Sequence, residues 1–102
     1  MPGLAFDGAN IWAVAGGGVV KVRASDGAVL GSYPAGYQPF YAAFDGANIW
    51  VTCQANNTVI KFRGSDGQAL GTFSTGSGPI GVAFDGANVW VANTGSSTVT
   101  KY

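Results

Sequence analysis

Short runs rich in Val, Ile, Thr, Trp, Tyr and Phe alternate along the chain with clusters of Gly, Asp, Asn and Ser. Phe40–Phe44, Asn48–Cys53, Thr58–Arg63 and Ala69–Thr75 are four such runs in succession. Each reads as a β-strand, because β-branched and aromatic residues fit a pleated surface and the intervening residues favour turns. In the order a, b, c, d, strand b (Ile49-Trp50-Val51-Thr52-Cys53) is largely apolar at both parities. That pattern predicts a strand with both faces covered, as when its sheet lies between two others. No window holds apolar residues at helical spacing, so the chain is expected to be all-β, without helix.

The pattern repeats. Ala5-Phe6-Asp7-Gly8-Ala9-Asn10-Ile11-Trp12 returns at Ala43–Trp50 and again, with Val89 for Ile, at Ala83–Trp90. Val20-Lys21-Val22-Arg23-Ala24-Ser25-Asp26-Gly27 is matched by Ile60–Gly67, and Thr100-Lys101-Tyr102 starts a third copy. The copies are 38 and 40 residues apart, measured at Phe6, Phe44 and Phe84. A period near 40 with four short strands is one blade of a β-propeller. The expected organisation is a single repeat domain over 1–102: a blade at about 1–38, a second at about 39–78, and a third at about 79–102 that lacks its outermost strand.

Composition narrows the functions available. With 47% apolar and 10% charged residues in 102, the chain has the means to pack an interior. Five basic and five acidic residues balance, so no electrostatic footprint for nucleic acid or an acidic membrane surface is present. No apolar run reaches the ~18 residues of a membrane span, and no signal peptide is visible, so the chain as given reads as soluble. The single cysteine, Cys53, rules out an internal disulfide.

All ten charges stand at repeat positions. Every aspartate precedes a glycine: Asp7, Asp45 and Asp85 in the a–b turn, Asp26 and Asp66 in the c–d turn. Asp-Gly between strands is a hairpin signal, with glycine supplying positive φ and the carboxylate accepting nearby backbone N–H groups. Lys21, Lys61 and Lys101, and Arg23 and Arg63, recur on strand c, where they are expected to pair or to lay their stems on the sheet. Catalysis by a general acid, base or nucleophile needs an ionisable group in a special setting. There is no histidine, and the carboxylates already have turn roles, so no catalytic residue is assigned. One carboxylate per Asp-Gly-Ala-Asn turn is also too few oxygens for calcium, and no metal site or cofactor is expected. Cys53, opposite Ala15 and Asn93 in the other copies, reads as a small buried hydrophobe, and Trp12, Trp50 and Trp90 as blade-to-blade packing.

The run Phe84–Lys101 (Phe-Asp-Gly-Ala-Asn-Val-Trp-Val-Ala-Asn-Thr-Gly-Ser-Ser-Thr-Val-Thr-Lys) resembles bacterial β-propeller repeats of the YVTN and virginiamycin B lyase-like group, relatives of the NHL propellers. The resemblance extends over essentially the whole chain and implies a binding or scaffold module. Lyases of that group use a histidine and a magnesium ion held by acidic residues near the ring centre. This chain has no histidine, and the segments Leu4-Ala5-Phe6, Tyr41–Phe44 and Val82-Ala83-Phe84 carry no acid, so no lyase residue carries over. A lyase-like, metal-dependent enzyme is therefore the alternative reading, and a non-catalytic module the preferred one.

In an antiparallel meander the a–b and c–d turns share one end of the strands, and the b–c and d–a loops the other. The Asp-Gly end hardly changes between copies. The other end does: Gly16-Gly17-Gly18, Gln54-Ala55-Asn56-Asn57 and Thr94-Gly95-Ser96-Ser97 stand at one position, and Tyr37–Tyr41 faces Ser77–Gly81 at another. Loops on a rigid scaffold are where binding residues collect. Tyr37, Gln38, Tyr41, Gln54, Asn56 and Asn57 are the candidate ligand-binding residues, their aromatic and amide groups suited to a glycan or a peptide. Three blades form an open arc with no polar capping repeat, so the chain is expected to pair with itself as a homodimer. Two arcs make a six-bladed ring, inside the range of about four to eight blades in which propellers close. Lys101 on the last strand is expected to discourage further strand addition at that edge.

Overall fold

A computed structural model describes residues 3–35 and 38–102. Eleven strands follow one another: β1 (Leu4–Phe6), β2 (Asn10–Ala15), β3 (Gly18–Arg23), β4 (Val29–Pro34), β5 (Pro39–Phe44), β6 (Asn48–Cys53), β7 (Thr58–Arg63), β8 (Ala69–Ser74), β9 (Pro79–Phe84), β10 (Val89–Asn93) and β11 (Thr98–Lys101). They form three antiparallel meanders, β1-β2-β3-β4, β5-β6-β7-β8 and the three-stranded β9-β10-β11. Each sheet is one blade. The expected a, b, c and d strands are all present, with small shifts: β5 begins at Pro39 rather than Phe40, and β8 ends at Ser74. One expectation needs correcting, because Gln54–Asn56 forms a single 3-10 turn in the β6–β7 loop. Asn57 closes it at φ 54°, a left-handed conformation that asparagine tolerates.

The register places each side chain. Ala5 pairs with Trp12, Trp12 with Lys21 and Lys21 with Gly31, so these four share one face of the first sheet. Val14, Val19 and Tyr33 join them on that face, because side-chain direction has period two along a strand. The face packs against Ile49, Val51 and Phe62 of the second sheet. The second sheet repeats the arrangement one blade further on, with Trp50 and Val59 against Val89 and Val91. Trp12, Val19, Ile49, Val51 and Val59 have no exposed surface, and burying a side chain of this size contributes about 1.5–3 kcal/mol. Strand β6 lies between two neighbours and is covered on both faces, as its apolar run predicts.

Polar contacts also tie the blades together, among them one at each seam from a strand side chain. The Lys21 ammonium crosses the first seam and donates to the carbonyl oxygens of Gly64 (3.1 Å) and Ser65 (3.3 Å). The Thr52 hydroxyl donates to the Ile80 carbonyl across the second seam at 2.8 Å. Among the described residues no helix is long and apolar enough to cross a membrane.

Candidate functional site

At the Asp-Gly end the three a–b turns are chemical copies. Asp7 Oδ1 accepts from the backbone N–H groups of Ala9 (3.0 Å) and Asn10 (2.7 Å), and Oδ2 accepts from the Trp12 indole N–H (2.8 Å). Asp45 holds Ala47, Asn48 and Trp50 in the same way, and Asp85 holds Ala87, Asn88 and Trp90. The glycine that follows each aspartate has φ near +100° (Gly8 99°, Gly46 100°, Gly86 101°), a region in which a Cβ is strained. Burial opposes ionisation of Asp7 and Asp45, but the indole and backbone donors outweigh it and lower both pKa values. For Asp85 the Asn88 N–H, the Trp90 indole and the Ala87 N–H bring the value to about 2.

The remaining charges are engaged as well. Arg23 pairs with Asp26 and Arg63 with Asp66, both at 3.0 Å. The ammonium groups of Lys21, Lys61 and Lys101 lie over the rings of Trp12, Trp50 and Trp90 at 5.2, 5.3 and 5.7 Å from the centroids. Each blade thus carries an Asp–Trp–Lys group in which the carboxylate accepts from the indole N–H and the ammonium lies over the ring. The first seam opens here into a depression of about 350 Å³ lined in part by Asp7, Lys21, Phe44, Gly64 and Ser65. Among the described residues no three His, Cys, Asp or Glu side chains gather where they could hold a metal ion.

At the opposite end the candidate binding residues have different settings. Tyr37 lies outside the described residues. Gln38, at φ 52°, is exposed, and its carbonyl accepts from the Gln54 N–H at 3.3 Å, which joins the two variable loops of the second blade. Tyr41 sits in a bulge of β5 with its N–H on the Thr52 hydroxyl, its ring 5.3 Å from that of Phe40. Asn56 is exposed. Asn57 turns toward the third blade, where its Oδ1 accepts from the Gly78 N–H at 2.9 Å. Gln38 and Gln54 therefore come together, whereas the Asn57 side chain is engaged in linking two blades. Cys53 is fully buried, its thiol donating to the Ala35 carbonyl, and burial raises its pKa.

Three structural devices had no place in the reading of the sequence. The first is the Asp-to-Trp hydrogen bond, for which the constant five-residue spacing of Asp7–Trp12, Asp45–Trp50 and Asp85–Trp90 was an available signal. The second is a Gly-x-aromatic pattern in β4 and β8. There Tyr33 folds back over Gly31 and stacks on Trp12 at 5.7 Å, and Phe73 lies over Gly71 and stacks on Trp50 at 5.6 Å. The third is Asn93, 1% exposed, whose Nδ2 reaches the hydroxyls of Thr98 and Thr100 while its Oδ1 has no partner.

Solved structures share this architecture. Hydrazine synthase of Kuenenia stuttgartiensis superposes with a TM-score of 0.82 at 22% identity, covering 97% of this chain and 34% of that one. U3-55K gives 0.74 at 11% identity, over 98% of this chain and 36% of its own. A luciferin-regenerating enzyme gives 0.68 at 19%, over 91% and 37%. These are β-propeller-type proteins, and at such identities the likeness is one of fold alone. The chain spans about a third of the length of each. No protein-family model matches the sequence, and neither does any curated protein. The fold is that of a partial β-propeller, with two four-stranded blades and a three-stranded third.

Proposed function

We propose that this chain is a non-catalytic β-propeller module of the YVTN, virginiamycin B lyase-like and NHL-related group, which binds or displays a ligand and closes into a ring with a second copy. The observation that carries the reading is the engagement of the charges. Asp7, Asp45 and Asp85 each accept three hydrogen bonds that hold a turn and an indole, and Asp26 and Asp66 pair with arginines. Asp7, Asp45, Asp66 and Asp85, fixed in this way and held below the usual carboxylate range, are poor general acids or bases near neutral pH. The ligand end is the variable one, where Gln38, Tyr41, Gln54 and Asn56 offer amide and aromatic surface to a glycan or a peptide.

Ring closure rests on the difference between covered and uncovered faces. Leu4 and Phe6 are 69% and 57% exposed, whereas Ala42, at the position of Leu4 in the second blade, is 8% exposed against the first blade. At the far end Trp90 is 39% exposed, where Trp12 and Trp50 are 0% and 6%. In a ring of two chains Trp90 meets Ile11 and Val22 of the second copy. Lys101 then reaches the carbonyls of its Ala24 and Ser25, which match Gly64 and Ser65. Light scattering on a size-exclusion peak should report twice the 10.3 kDa of one chain. A folded 10.3 kDa species at micromolar concentration defeats the ring. A glycan and peptide screen should give saturable binding weakened by changes at Gln38 or Gln54. Turnover of an activated ester or lactone that needs a divalent metal and is abolished by EDTA overturns the non-catalytic reading.

A further inference from the structure

We propose that the depression at the first seam is a binding site for a single neutral sugar ring, distinct from the variable loops and at the opposite end of the strands. Its walls come from the two complete blades, with Asp7, Asn10 and Lys21 on one side and Phe44, Ala47 and Ser65 on the other. At about 350 Å³ it stands at the small end of the range of ligand pockets, about 300–1,000 Å³, and so admits one ring rather than a chain. Nothing lies within 4 Å of a Cβ built at Gly46, so the mouth is open beside that wall.

The charges decide the class of ligand. Of the three N–H donors of Lys21, two go to the Gly64 and Ser65 carbonyls, and the ammonium lies over Trp12. An anion therefore meets a cation that is already committed. Asp7 is ionised at neutral pH and has about four acceptor positions, of which the Ala9, Asn10 and Trp12 N–H groups use three. A cationic ligand gains little from the one that remains, because the Lys21 ammonium borders the same depression and balances the carboxylate. Balanced charge, an acceptor position in reserve and two carbonyl oxygens alongside suit a neutral molecule rich in hydroxyl groups.

Donors and an apolar surface complete the site. Asn10 makes its turn bonds through the backbone, with its N–H on Asp7 Oδ1 and its C=O accepting from the Asp7 N–H, which leaves the side-chain amide to a ligand. The exposed Ser65 hydroxyl stands on the wall across the seam. Phe44, half-buried against the core, offers its ring to the C–H face of a pyranose. Gly64 keeps that ring accessible, since a Cβ there would lie 3.7 Å from Phe44 Cε1 and 2.6 Å from the Ala47 carbonyl oxygen. The repeat itself does not demand this glycine: Ala24 takes its place in the first blade, with its N–H on Ala9 as that of Gly64 is on Ala47. The Lys21 crossing fixes the two walls against each other, so the site is formed before a ligand arrives.

The test titrates the intact chain, isotopically labelled, with the methyl glycosides of glucose, galactose, mannose and N-acetylglucosamine, and with inorganic phosphate and methylammonium as charged controls. With at least one glycoside, saturable shifts of the Asn10 side-chain amide and of the Ala47 and Ser65 backbone amides are expected, at a Kd of about millimolar order. Added salt should leave that affinity unchanged, as it does for a neutral ligand. Asn10→Ala keeps the backbone bonds of the turn and should weaken binding about fivefold. Ala47→Trp, at an exposed position on the wall, fills the depression and should abolish binding. Absence of saturation with every glycoside, unchanged affinity in either variant, or tighter binding of phosphate or methylammonium overturns the proposal. Shifts centred on Gln38 and Gln54 overturn it as well, and leave a ligand site in the variable loops standing.

Discussion

The seam between the first two blades and the open face of the third contain the same stack of side chains in opposite settings. Asp7, Trp12 and Lys21 are arranged as Asp85, Trp90 and Lys101 are, with indole-to-carboxylate distances of 2.8 and 2.7 Å. Yet Trp12 has no exposed surface and Trp90 is 39% exposed. The geometry of the stack is therefore set within one blade, by the turn carboxylate and the strand register. Its burial is set by the next blade and by the aromatic residue of the outer strand. Local structure and stabilisation have separate sources here, and substitutions at equivalent positions can tell them apart.

The largest separation is expected at the tryptophans. Trp12→Ala removes a fully buried indole from the main apolar cluster and should cost about 4 kcal/mol. Trp90→Ala removes a ring without a second cover, and in the single chain should cost about half as much. Chemical denaturation at low protein concentration measures both. Equal losses would mean that burial at the seam does not govern the tryptophan's contribution.

A smaller effect is expected at the turn. Asp45→Ala deprives two backbone N–H groups and the Trp50 indole of their acceptor, and should cost about 2 kcal/mol. Asp85→Ala should cost less, because Trp90 and its turn are exposed and water can replace the carboxylate. Denaturation of the two variants side by side is the measurement. An equal cost would place the whole contribution of the aspartate within its turn.

Much of this architecture is legible in the chain, for a physical reason. Asp-Gly, the Ile/Val-Trp run and the Lys/Arg positions recur, and residues that recur in a repeat do the same local work in each copy. The pattern places β6 and β7 at their observed bounds, and the recurrence places the carboxylates on backbone N–H groups. It does not reveal that the second carboxylate oxygen holds an indole, because five residues across a turn bring Asp45 to Trp50 only once the strand has left the turn. Nor does it reveal why Gly31 and Gly71 precede aromatics, since the reason is room for a ring folded back along the strand. The candidate ligand residues were the least legible. Asn57 varies between copies, as a binding residue would, but its side chain acts on Gly78 of the next blade. Variation between copies thus marks both ligand contacts and contacts to a neighbour of different sequence.

The smallest expected effect lies in the acid response of the open blade. The pKa of Asp85 falls from the usual carboxylate range to about 2, through the Asn88 N–H first and then the Trp90 indole. A carboxylate whose folded pKa is depressed adds stability above its unfolded pKa of about 3.9, and loses it as pH falls through the folded value. The window for Asp85 is therefore about pH 4 down to about pH 2. Asp7 and Asp45 are lowered by the same donors, against the opposition of burial, and respond in the same direction. Asp85→Asn removes one of these responses, so its thermal midpoint should fall slightly less than the parent's between about pH 5 and about pH 2.5. The difference should be small beside the Trp12→Ala effect, because the Asp85 carboxylate is open to solvent, where screening and hydration weaken its bonds. A parallel fall of parent and variant assigns the acid response to the other lowered carboxylates, Asp7, Asp45 and Asp66. A parent that gains stability on acidification contradicts the turn chemistry in all three blades.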